Sequence, residues 1–116
     1  MKNLTTIKAR YLRDDLTTRL GGLAANLARI KSFSNHPDHR DVVSDLLDES
    51  KHFIEWTAAE AEYETQVDLL KLQRLLVGWH RVWRDIWSDE NNRADVALQA
   101  GDWSKRVLEM SGLLGN

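Results

Sequence analysis

The chain has 116 residues, 42% apolar and 29% charged, with a formal net charge of −2, which is enough for one hydrophobic core and one domain over residues 1–116. It has no cysteine, and that excludes disulfides, thiolate metal sites and cysteine nucleophiles. One proline and six glycines are too few for the repeated tight turns of an all-β protein, so the composition leans all-α.

From the amino terminus, Leu16, Leu20, Leu23, Leu27 and Ile30 recur at steps of four and three. That spacing predicts a first helix from about Thr5 to Phe33, with Leu4, Ile7 and Leu12 extending its apolar seam. Gly21 and Gly22 lie inside it. A glycine costs about 1 kcal/mol against alanine within a helix, so the pair implies close approach by a bulky neighbour, such as one of the tryptophans, or else a kink. Residues 34–40 contain Pro37 among polar residues and read as a loop. A second helix follows from near Asp38, with Asp38 as cap and Asp41 in its first turn. Its seam is Val43, Leu47, Ser50, Ile54, Ala58 and Ala61, widened by Val42, Leu46 and Phe53.

Between Asp38 and Val77 there is no glycine or proline. Thr57 and Glu60 have the spacing of a capping box that would start a new helix. Against this, residues 58–62 have high helix propensity. The reading favoured is a continuous or merely kinked helix over residues 39–87, a rod of roughly 75 Å. Its second half carries the densest feature of the chain: Trp79, Trp83 and Trp87 stand four apart, in line with Leu69, Leu72 and Leu76, and form one aromatic stripe. Residues 88–92 end that helix and cap a last one over about 91–112, with seam Val96, Ala100, Trp103, Val107, Met110 and Leu114, stopped by Gly112. The expected fold is an antiparallel bundle of three to four long helices, with one very long central helix if residues 39–87 do not break.

Charge is uneven. Residues 1–40 carry eight Lys/Arg against three Asp, and residues 41–70 carry one Lys against nine Asp/Glu. The first two helices should therefore lie side by side, with Lys8, Arg13, Arg19 and Arg29 opposite the stripe Asp41, Asp45, Asp48 and Glu55. Exposed pairs of this kind contribute only about 0–1 kcal/mol each, so they bias register more than stability.

Five tryptophans are several times ordinary usage. Each indole can bury roughly 150–250 Å², and a core or oligomer seam is the leading reading. The sharper alternative is a face for a flat ligand or cofactor made of Trp79, His80, Trp83, Arg84 and Trp87, with His80 as axial ligand. Nucleic acid is disfavoured, because the basic density lies on the first helix, away from the indoles. His36 and His39 around Asp38 make a weak metal pair, and no physiological metal site or resident cofactor is expected. Glu49 and His52 have the spacing of a di-iron bundle motif, but Val77 stands where a second copy before His80 would need a glutamate. His39-Arg40-Asp41 mimics a kinase triplet without the rest of that signature. His52 is the candidate phosphoacceptor.

The stretches Ala9-Arg10-Tyr11-Leu12-Arg13-Asp14-Asp15-Leu16 and Glu55-Trp56-Thr57-Ala58-Ala59-Glu60 resemble short, uncharacterised, all-helical proteins of cyanobacteria. The resemblance implies a small helical protein and transfers no site residue.

No run approaches the roughly 18 apolar residues of a membrane span, and residues 1–6 lack an apolar signal core. A cytoplasmic protein without a membrane partner is expected. The leading function is a non-enzymatic protein–protein interaction or scaffold module. If residues 39–87 form a single rod, each half has only one partner helix and the two-helix layer leaves apolar faces bare, so the expected partners are a second copy, as a homodimer, and an unknown protein.

Overall fold

The computed structural model describes residues 3–113. Those residues form helices and turns without a strand: α1 (Leu4–Leu12), α2 (Leu16–Phe33), a 3₁₀ turn (Pro37–His39), α3 (Arg40–Thr57), a second 3₁₀ turn (Ala58–Glu60), α4 (Tyr63–Arg81), α5 (Trp83–Trp87) and α6 (Glu90–Ser111). The all-α expectation holds. Six helices lie among the described residues, four of them of 18 residues or more, against the three to four long helices expected.

The predicted first helix breaks at Arg13–Asp15. Asp15 is extended (ψ 171°) and its side chain accepts the Thr18 N–H at 2.8 Å, capping α2. That bond, together with the Thr18 hydroxyl, holds the Asp15 carboxyl below the ordinary aspartate range. The other end of α2, Phe33, lies where the spacing puts it. Gly21 and Gly22 sit within an unbroken α2, and their neighbours are Leu113 and Tyr11, not a tryptophan: a Cβ at Gly21 would fall 2.5 Å from Leu113 Cδ1.

The long central rod is not formed. At 1.5 Å per residue it would need roughly 75 Å, whereas the longest axis of the molecule is 37 Å. The chain turns at Ala61 and Glu62, both extended (ψ 160° and 156°), and again at Val82 (φ −114°, ψ 28°). Thr57 and Glu60 do not form a capping box. Glu62 is the cap residue of α4 and makes no side-chain bond. The Thr57 hydroxyl instead meets the Tyr11 hydroxyl at 3.0 Å, and Glu60 takes both terminal nitrogens of Arg19, at 2.7 and 2.9 Å. Gln66 Nε2 donates to Ala61 O at 3.0 Å, which satisfies a carbonyl the turn leaves free. Asp38 is likewise not the cap of α3. It lies in the 3₁₀ turn, and His39 precedes α3 without a side-chain bond. Asp89, by contrast, caps α6 with bonds to Asn91 N and Asn92 N, and Gly112 ends it at φ +79°, in the left-handed region.

Side-chain contacts show neighbouring helices running in opposite directions. Arg19 reaches Glu60 while Asn26 reaches Glu49. Ser44 meets His80 while Lys51 O accepts from Gln73. Asp68 takes Arg106 at 2.8 Å while Trp87 O takes Arg93. Leu23, Leu27 and Ile30 of α2, Val43, Leu47 and Ile54 of α3, Leu69, Leu72 and Leu76 of α4, and Val96 and Val107 of α6 fill the centre. Each fully buried side chain of this kind contributes roughly 1.5–3 kcal/mol as an upper bound. Val42, expected to widen the α3 seam, is exposed. The acidic stripe does not set the pairing of α2 with α3 as expected: Asp48 turns to Lys51 and His52 on its own helix, and Arg19 goes to Glu60. Leu114, last of the predicted α6 seam, lies outside the described residues.

Candidate functional site

The three tryptophans of the stripe are brought together, and they face inward. Trp79, Trp83 and Trp87 are all buried. The break at Val82 keeps the last two rings against the start of α3. Trp83 Nε1 donates to Arg40 O at 3.2 Å, and Trp87 Nε1 donates to Pro37 O at 2.7 Å. Their ring centroids are 5.2 Å apart at 47°, a tilted aromatic pair. The Arg93 guanidinium stands 5.5 Å over Trp87 and donates to its carbonyl at 2.6 Å. Trp83 thus spends its one donor on the first residue of α3, and Trp87 spends its own on the 3₁₀ turn before it. A flat ligand at this face would have to displace that turn.

His80 and Arg84 separate from the rings. Arg84 is exposed. His80 is half-buried against α3, with Nδ1 3.0 Å from Lys51 Nζ and Nε2 3.4 Å from Ser44 Oγ. Lys51 in turn pairs with Asp48 at 3.5 Å. Burial, then the neighbouring Lys51 charge, lower the His80 pKa. An ammonium can only donate, so Nδ1 accepts and the neutral ring carries its proton on Nε2. Nε2 therefore donates toward Ser44 and cannot take the serine proton. The cluster has the composition of a nucleophile with its base but the opposite proton polarity.

His52 has carboxylates facing both ring nitrogens: Glu55 Oε2 is 3.1 Å from Nδ1, and Asp48 Oδ2 is 3.9 Å from Nε2. Its ring stacks on Trp56 with centroids 5.5 Å apart. Two anions at the nitrogens repel an incoming phosphoryl group. Glu49 bonds Asn26 Nδ2 at 3.2 Å, across to α2. The His36 and His39 rings lie 5.5 Å apart, tilted at 57°, and among the described residues no group of three or more metal-binding side chains is gathered.

Two features of the fold do not follow from the residue spacings read above. One is the joint of Tyr11, Arg19, Thr57 and Glu60, whose members come from four separate elements. The other is the outer face of α4. There Tyr63, Leu70 and Val77 stay 79%, 53% and 47% exposed, and Leu70, Gln73, Arg74, Val77, Gly78 and Arg81 line one open groove. The signal was present: these three apolar residues recur every seven positions, one face removed from the buried Leu69, Leu72 and Leu76.

No family model, no curated protein and no solved structure matches this chain.

Proposed function

We propose that the protein is a non-enzymatic interaction module acting through a helix face, with α4 as that face. The observation that carries the reading is the exposed line of Tyr63, Leu70 and Val77. Scattered apolar residues on a surface are ordinary, but exposed apolar residues recurring every seventh position along one helix face mark a place for another surface. The partners supposed are a second copy of the chain and a further protein. The cysteine-free composition suits the reducing cytoplasm that this reading supposes. No helix among the described residues is long and apolar enough to cross a membrane.

The test is the size of the complex the chain enters in an extract of its native host. The wild type should migrate well above the 13.4 kDa chain mass. A Leu70→Glu, Val77→Glu double variant should migrate at that mass while keeping the same helical circular dichroism and melting temperature. Equal migration of the two would remove the reading.

A further inference from the structure

The outer face of α4 matches itself when turned end for end. Tyr63, Val67, Leu70, Arg74, Val77 and Arg81 recur at steps of four and three, the alternation of a two-helix seam. Charge along this exposed face is graded. Glu62 and Glu64 stand at the start of α4, Lys71 lies near its middle, and Arg74 and Arg81 occupy its second half; all five are exposed. A parallel pair of such helices would set Arg74 and Arg81 against themselves. An antiparallel pair sets the acidic start of each against the basic end of the other.

Gly78 supplies an independent sign. It is exposed near the end of α4, and a Cβ there would meet nothing within 4 Å. The monomer's own packing therefore does not call for a residue that helix propensity disfavours at this position. A bulky group arriving from outside would call for it. Tyr63, the most exposed of the large apolar residues, is such a group.

We infer that the protein forms an antiparallel homodimer through α4, with Leu70 beside the twofold axis and Tyr63 seated on Gly78 of the partner subunit. In that register Val67 faces Arg74 of the partner subunit. Glu64 falls opposite Val77 of the partner subunit, with Arg74 of the partner subunit and Arg81 of the partner subunit one turn to either side. Leu70 packs near its own symmetry mate, the isologous contact a twofold requires. The seam is confined to the length of one 19-residue helix. This inference rests on the reading of α4 as an interaction face and names the second copy as its occupant.

Sedimentation of the purified full chain, from low to high micromolar concentration, should show a shift from the 13.4 kDa mass to twice that value. Leu70→Glu should weaken the association more than about tenfold without changing the circular dichroism, since Leu70 is exposed. Because the chain has no cysteine, single cysteines report the geometry cleanly. A disulfide needs Cα atoms about 4.4–6.8 Å apart. Under mild oxidation Leu70→Cys should crosslink to itself, and Tyr63→Cys mixed with Gly78→Cys should crosslink across. Tyr63→Cys alone should not, because its two copies sit roughly 22 Å apart along the seam at 1.5 Å per residue. Self-crosslinking of Tyr63→Cys would mean a parallel pair and would overturn the inference. A monomer at every concentration would overturn it too. If Leu70→Glu with Val77→Glu still dissolved the complex in host extract, the interaction face would then stand with another protein as occupant. A dimer untouched by Leu70→Glu would place the seam elsewhere and defeat the inference.

Discussion

At its N-terminal end α3 is held by Trp83 and Trp87, whose ring N–H groups donate to Arg40 O and Pro37 O. At its C-terminal end it is held by Tyr11, which stacks on Phe53 with centroids 4.0 Å apart, donates to Arg19 O at 2.9 Å and meets Thr57 Oγ1. Arg19 closes that second joint on Glu60 and donates Nε to Asp14 O at 3.1 Å. Both joints use a large ring for area and its polar edge for aim. All three rings donate to backbone carbonyls, and the two joints differ in the side chains that complete them. The indoles address backbone carbonyls, which no substitution removes and no ordinary pH titrates. The tyrosine joint adds the side chains of Thr57 and Glu60 to its backbone acceptor, so a mutation can weaken it and acid can reach its Glu60 end. The Tyr11 hydroxyl itself does not titrate within that range: burial pushes its pKa up to about 12.

The largest test of this contrast is Trp87→Ala. Removing a buried ring should cost about 3–5 kcal/mol, read as a lower denaturant midpoint; a loss below about 1 kcal/mol would mean the ring is not filling the core. Next comes Tyr11→Phe, which keeps the stack on Phe53 and deletes both the bond to Arg19 O and the bond to the buried Thr57. It should cost about 1–2 kcal/mol, and less in a Thr57→Val background, where no hydroxyl is left stranded. Equal costs in both backgrounds would break the claim that this joint runs through its side-chain partners.

Acid should act on the two ends of α3 in different pH windows. His80, on the indole side, has a lowered pKa in the fold, so the unfolded chain binds its proton more readily. Stability should fall as pH drops below the ordinary histidine range toward that lowered value. His80→Gln should flatten this part of the stability–pH profile. The smallest effect belongs to Glu60, whose carboxyl is held low mainly by the hydrogen bond from Arg19. Its contribution is present at neutral pH and is lost only as pH falls through that depressed value, below the usual glutamate range. Since Glu60 is exposed, the contribution is small, and Glu60→Gln should remove its acid sensitivity while leaving the neutral-pH midpoint nearly unchanged. If both variants altered the same pH window, the two ends would not be chemically distinct.

Part of this architecture was legible in the chain. Leu20, Leu23, Leu27 and Ile30 specify a helix face wherever they occur, because a 3.6-residue turn lines up steps of three and four. Asp89 before α6 and Gly112 after it announce themselves by local chemistry. Asp15 was equally legible, three residues before Thr18, but the longer apolar seam outweighed it in the reading of one unbroken helix. The candidate site was less legible. The stripe of Trp79, Trp83 and Trp87 is visible in the spacing, but whether it faces in or out is not, since α4 carries apolar residues on several faces at once: Leu69, Leu72 and Leu76 go to the core while Leu70 and Val77 stay outside.

The sequence by itself determined that this protein is helical, with apolar seams and several of its caps, since those follow from the geometry of a few consecutive residues. Only the tertiary structure decided where the long helices break and which apolar line of α4 is left bare. Thr57 and Glu60 look like a local cap until Tyr11 and Arg19, more than forty residues away, claim them. A polar handle or an apolar face has no fixed role until another segment packs against it, and that neighbour is chosen by the whole fold.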